Sequence, residues 1–180
     1  MLKSFFHRQI AAYERRYGYD AAYMHEVLDA SLSAFFKFGL FQIMSMHRDS
    51  VSKDAWFAAR MAATLSEDCG PCTQLVVNMA LEAKVRTTDI TALLRGDIEQ
   101  VGADAALGFR YGMAVAANAP DTVILSEEVE KRFGKRGLVS LAFAVTSARV
   151  YPCLKRGLGH GDVCTKIAVS NEMIVIKRVA

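Results

Sequence analysis

At 180 residues, 52% of them hydrophobic, the chain is long enough for one domain with a sizeable core and too apolar to be disordered. A net charge of +3, with no basic stripe interleaved with aromatics, argues against a nucleic-acid partner. Four cysteines are too few for a secreted disulfide scaffold of this length, and plentiful Ala, Leu, Met, Lys, Arg and Glu with only three prolines point to an all-α protein.

Residues 1–17 read as an amphipathic helix with Phe5, Phe6, Ile10 and Tyr13 on its apolar side, ended by Gly18. Lys3, Arg8, Glu14, Arg15 and Arg16 make the same stretch too charged for a signal peptide. Asp20 is placed to cap a second helix running from Ala21 to about Met46. Its Phe-rich half is apolar on too many sides for a lone surface helix, so it belongs to the core or to a subunit interface. A polar break at 47–52 precedes an Ala- and Met-rich helix from Lys53 to Leu65. Beyond residue 84, Thr87-Thr88-Asp89 opens a short helix through Leu94, and Gly96 stops it. Ala103 to Ala117 is small and apolar, and Gly108 and Gly112, four apart, allow close helix packing. Ala119-Pro120-Asp121 is a turn, Ser126 a candidate N-cap, 134–137 a loop, and Leu138 to Val150 a buried helix ending before Pro152. From Lys166 the pattern becomes extended, with Ile167, Val169, Met173 to Ile176 and Val179 flanking a turn at 170–172, so a short extended or hairpin C-terminal tail is expected. The longest uncharged run, Cys69 to Leu81, is well short of a membrane span. A single domain over 1–180 is expected, located in the cytoplasm, with N-terminal helices over 1–50 and a core over 53–160.

The chemistry concentrates in Cys69-Gly70-Pro71-Cys72. Proline is tolerated in the first turn of a helix, where its missing N–H is not needed, and an apolar run follows, so the motif is expected to open a helix reaching about Lys84. Two cysteines three apart then share one face and can form a disulfide, while free N–H groups and the helix dipole favour a thiolate. That is what thiol–disulfide exchange requires. The same spacing also serves as half a zinc site, or as two buried thiols.

Residues 53–96 resemble the alkylhydroperoxidase D-like and carboxymuconolactone decarboxylase superfamily. The resemblance rests on the Ala-rich helix, the C-x-x-C opening the next one, Ala80-Leu81-Glu82-Ala83-Lys84-Val85, and Thr88-Asp89-Ile90-Thr91-Ala92-Leu93-Leu94. Residues 138–160, ending Leu154-Lys155-Arg156-Gly157-Leu158-Gly159-His160, look like the tail of certain members. The resemblance implies an all-α bundle over 53–160, assembly as a homo-oligomer, and thiol-dependent hydroperoxide reduction with no cofactor. In the family a histidine four residues after the second cysteine and a glutamate on the preceding helix form a proton relay. Here those positions hold Val76 and Phe57. The family's second cysteine, which attacks the peroxide, corresponds to Cys72, whereas the helix dipole favours Cys69, and the order of attack stays open.

Glu67 and Asp68, beside the motif, would raise the pKa of Cys69, could accept its proton, or could simply suit a helix start. Asn78 reads as a buried amide with local partners. His160, between two glycines, is either a substitute proton carrier or a solvent-facing loop residue. Cys153, His160 and Cys164 could join the motif in a zinc site, but their spacing is loose for one. The expected function is a cofactor-free thiol oxidoreductase of peroxidase or disulfide reductase type, with Cys69, Cys72 and His160 as site residues and no bound metal. Its partners would be a second copy of itself, a hydroperoxide or disulfide substrate and a thiol reductant protein. The alternative is a non-catalytic scaffold or ligand-binding oligomer of the same fold.

Overall fold

The computed structural model describes residues 1–161, 166–170 and 172–176. Those residues form an all-α fold of eight helices with one 3-10 turn and a short terminal hairpin: α1 Leu2–Tyr17, α2 Ala22–Ala30, α3 Leu32–Ser45, α4 Lys53–Ser66, α5 Gly70–Glu82, α6 Thr87–Arg95, α7 Ala103–Ala117, α8 Thr122–Gly157, β1 Lys166–Val169 and β2 Glu172–Val175. Asn171, Cys164 and Val179 lie outside the described residues.

Helix α4 is the axis. Ser52 caps it, its hydroxyl accepting from the Ala55 amide, and every residue from Ala55 to Leu65 is buried. It packs against α5, α6, α7 and α8. Contact with α7 is close because Gly108 and Gly112 lie over the α4 backbone: a Cβ on Gly108 would sit 2.2 Å from the Ala55 carbonyl oxygen, and one on Gly112 2.7 Å from that of Ala59. The small-residue spacing thus does what the sequence led us to expect. A second apolar cluster joins α1, α2 and α3: Ile10, Tyr19, Tyr23 and Leu28 are buried in it, and Phe35 and Phe38 of α3 pack against them.

Several helix boundaries differ from the sequence expectation. The helix expected over 21–46 is two, because Ser31 is extended (φ −158°, ψ 113°) and its hydroxyl accepts from the Ala34 amide, starting α3 afresh. Asp20 is not the cap of α2, a position held by Ala21; it stands one residue before the cap, where its carboxylate accepts from the Ala22 amide. Ser126 does not begin a helix: α8 starts at Thr122, and the Ser126 hydroxyl donates to the Thr122 carbonyl one turn back. Pro152 does not end α8 either. It is buried within the helix, which continues to Gly157. The loop expected over 134–137 is a single break at Gly134, in left-handed backbone (φ 71°) that glycine adopts without strain. By length and composition α8 is the one described helix able to cross a membrane, and its face bearing Leu141, Ala144, Val145 and Ala148 is buried in the core beside α4 and α7.

The hairpin is antiparallel, with Ile167 opposite Ile174, and its inward face covers α5 and α6. The Phe-rich helix α3 divides its aromatics. Phe35 and Phe38 turn inward, while Phe36, Leu40 and Ile43, at helical spacing, are 49%, 64% and 65% exposed.

Candidate functional site: a cysteine pair on the wall of an aromatic cavity

Cys69 is the N-cap of α5 and Cys72 its third residue, with Pro71 between them in the first turn. The two are joined by a disulfide. The Cys69 carbonyl accepts from both the amide and the hydroxyl of Thr73, which fixes the start of the helix. Cys69 is half-buried at the surface, whereas Cys72 is 4% exposed and faces inward.

Cys72 faces a cavity of about 620 Å3 lined by α1, α2, α3, α4, α5 and α8. Its walls are aromatic and aliphatic: Phe35 and Phe38 from α3, Trp56 and Phe57 from α4, Leu75 and Val76 from α5. Phe57 and Val76, the candidate positions for a proton relay, are therefore both apolar wall. What stands next to Cys72 instead is Tyr19, whose hydroxyl oxygen lies 3.9 Å from Sγ. Gly18 closes α1 in left-handed backbone (φ 59°), and the turn sends Tyr19 inward. Burial pushes the Tyr19 phenol up to about 12, so it stays protonated at neutral pH and can donate. Tyr23 hydrogen-bonds to it, and the buried ammonium of Lys155 lies 5.0 Å from the Tyr19 ring centroid.

The cavity also contains a cation. Arg60, on α4, is 7% exposed. Its guanidinium lies 4.5 Å from the Trp56 ring centroid, Nη1 donates to the Ser45 carbonyl, and Nε has no hydrogen-bond partner. Burial lowers its pKa.

The remaining sequence candidates lie elsewhere. Glu67 is clamped by Arg149 (2.6 Å) and Arg156, which also donates to the Glu67 carbonyl. Burial alone would raise its pKa, but the hydrogen bonds from Arg156 and Arg149 outweigh burial and hold it below the usual carboxylate range. Its charge is thereby committed to the two arginines. Asp68 is exposed, at a positive φ of 51°. Asn78 is half-buried rather than buried, and only one of its partners is local: it accepts from Gln74 one turn back, while its amide donates to the Tyr17 carbonyl at the end of α1. His160 follows the end of α8 and bonds to Glu26 at 2.7 Å; it is not among the residues lining the cavity. Cys153 is exposed, Cys164 lies outside the described residues, and among those residues no three His, Cys, Asp or Glu side chains are grouped as a metal site would need.

Sequence inspection missed Tyr19 and Arg60. A signal for Arg60 was present: it is the only charge in the Ala55 to Leu65 run, which has no other polar residue but Thr64. For Tyr19 the hint was four tyrosines within residues 13–23. No protein-family model, curated protein or solved structure matches the chain.

Proposed function

We propose that this protein is a cofactor-free thiol oxidoreductase in which Cys69 and Cys72 alternate between dithiol and disulfide. The observation that carries this is the bonded pair itself, held at the start of α5 with Cys69 half-buried and Cys72 buried against the cavity. The unequal exposure suggests a division of labour. The thiolate of a reductant protein attacks Sγ of Cys69, the S–S bond breaks, and Cys72 leaves as a thiolate favoured by the helix N-terminus. The reductant's second thiol then releases Cys69 and departs as a disulfide. In the cavity the Cys72 thiolate attacks the outer oxygen of a hydroperoxide. The O–O bond breaks, Cys72 becomes a sulfenic acid, and the departing alkoxide takes a proton from the Tyr19 hydroxyl, which is replenished from solvent. Cys69 attacks the sulfenic sulfur, water leaves, and the disulfide returns. Per turn, one hydroperoxide and two reductant thiols give an alcohol, water and a disulfide. We place this cycle in a homo-oligomer in the cytoplasm, where thiols are kept reduced.

A second reading, a ligand-binding protein of the same fold, draws support from Phe57 and Val76: a wall without a base or acid at either position suits binding better than turnover. One set of measurements separates the two. The parent is titrated against glutathione buffers, with metal content determined on the same sample, and hydroperoxide and disulfide turnover are compared in the parent, Cys69→Ser, Cys72→Ser, Tyr19→Phe and His160→Ala. The oxidoreductase reading expects reversible reduction near the cytosolic poise of about −220 to −320 mV. It also expects loss of both activities in each cysteine variant. Tyr19→Phe should lower hydroperoxide turnover by about a hundredfold or more, with disulfide exchange less affected. A loss in His160→Ala with Tyr19→Phe unaffected would move the proton donor to His160. A thiol pair that never oxidises sinks the catalytic reading in favour of binding, and stoichiometric zinc replaces both with a metal site.

A further inference from the structure

The cavity has a charge problem that none of the thiol chemistry addresses. Removing a guanidinium from water costs several kcal/mol unless an anion pairs with it. Among the described residues no carboxylate lies within ion-pair distance of Arg60, and the cavity lining contains no Asp or Glu at all. The other cation described on that lining, Arg16, is engaged by Glu82. The phenols nearest in charge, Tyr151 and Tyr13, are held protonated by burial and bring no negative charge. Trp56 and the Ser45 carbonyl satisfy part of the guanidinium, and Nε is left without a partner.

We propose that the cavity binds an amphipathic monocarboxylate, its carboxylate paired with Arg60 and its hydrocarbon body lying among Phe35, Phe38, Leu75, Val76 and Met79. Three observations converge. The guanidinium is a planar fork that matches a carboxylate in two parallel hydrogen bonds. It supplies one positive charge, which a monoanion neutralises, whereas a phosphate monoester would bring about −1.5 to −2 and leave uncompensated negative charge buried. The rest of the wall is apolar, and its volume of about 620 Å3 falls in the range of roughly 300–1,000 Å3 common to small-molecule sites. Access is by the rim, where Gln9 of α1, Gly39 of α3 and Met46 just beyond its end are exposed. The inference rests on Arg60 and the apolar wall and stands whether or not Cys72 reacts.

The test uses the full chain and two probes of equal length, dodecanoate and dodecanol, each below its aggregation limit. Trp56 is the only tryptophan and lines the cavity beside Arg60, so its emission reports occupancy, and calorimetry supplies the stoichiometry. The expected result is one dodecanoate per chain, bound roughly ten- to a hundredfold more tightly than dodecanol, as charged hydrogen bonding implies. In Arg60→Met the preference should vanish while dodecanol affinity is kept. Equal affinities for the two probes in the parent, or no change in Trp56 emission with either, overturn the proposal and leave Arg60 a structural cation. Because the parent alone decides between these outcomes, a variant that fails to fold does not protect the idea.

Discussion

Alanine in place of a helical glycine ordinarily stabilises a protein by about 0.5–1 kcal/mol. At Gly108 the sign should reverse. The added Cβ would lie 2.2 Å from the Ala55 carbonyl oxygen and 2.8 Å from its Cα and carbonyl carbon, against a comfortable separation of about 3.5–4.0 Å. The obstacle is the backbone of α4, which has no rotamer to change, so α7 must retreat by about 1 Å. A gap of that size forfeits roughly a quarter to a half of each dispersion contact it opens. Overpacking of this kind costs about 1–3 kcal/mol. Its rigid partner puts Gly108→Ala at the upper end, and subtracting the helix gain leaves a loss of about 2 kcal/mol. In a domain of this size each kcal/mol is worth about 2–4 °C in Tm, so a fall of about 4–8 °C is expected in thermal unfolding followed by circular dichroism. Gly39→Ala is the control: that glycine is also within a helix, a Cβ there would meet nothing within 4 Å, and its Tm should hold or rise. Should Gly108→Ala unfold at or above the parental temperature, the tight α4–α7 contact does not exist as described. Trp56, Phe57 and Arg60 ride on α4, so the same retreat would be felt at the cavity wall.

Two further outcomes are expected. Glu67 has a depressed pKa in the folded chain, so its stabilisation is complete above the ordinary glutamate value of about 4.3 and is lost as pH falls through the lower folded value. Glu67→Gln should therefore be less stable than the parent at pH 7 and less sensitive to acid below about 4.3, and identical acid unfolding curves would refute the Arg149–Glu67–Arg156 clamp. On α3, Phe36, Leu40 and Ile43 form an exposed apolar stripe of the sort that pairs subunits. Sedimentation should find the parent associated at micromolar concentration and Leu40→Lys shifted toward monomer. A parent that sediments as a monomer removes that stripe as an interface.

The parts of this molecule legible in the sequence are those set by neighbours in the chain. Gly18 and Gly96 end helices and Pro71 permits one to start, because each acts through its own backbone within a turn; Gly108 and Gly112 go further, their spacing marking a close approach to Ala55 and Ala59, far earlier in the chain. Ser31 and Ser126 show the limit of that logic. Both are good N-cap residues, yet only Ser31 caps, because helix α8 was already under way at Thr122. Pro152 breaks the local rule outright: it is buried in α8, where packing around Ala148 and Lys155 sustains a helix that propensity alone would end. The cysteine pair was readable from spacing. The cavity beside it was not, since Tyr19, Phe38, Arg60 and Tyr151 come from four separate stretches and only tertiary packing brings them round Cys72.

Two residues beyond Cys72, Gln74 turns its side-chain amide to the hairpin, donating to the Ala168 carbonyl at 2.8 Å and accepting from the Ala168 amide at 2.6 Å. A two-stranded sheet has two open edges, and an open edge recruits whatever strand is nearby. Here a glutamine satisfies both main-chain groups of the residue at the middle of one edge, taking the place a third strand would fill. It does so from the helix that carries the disulfide. The molecule thus guards against unwanted strand addition with a single side chain, and the guard is anchored within one turn of its disulfide.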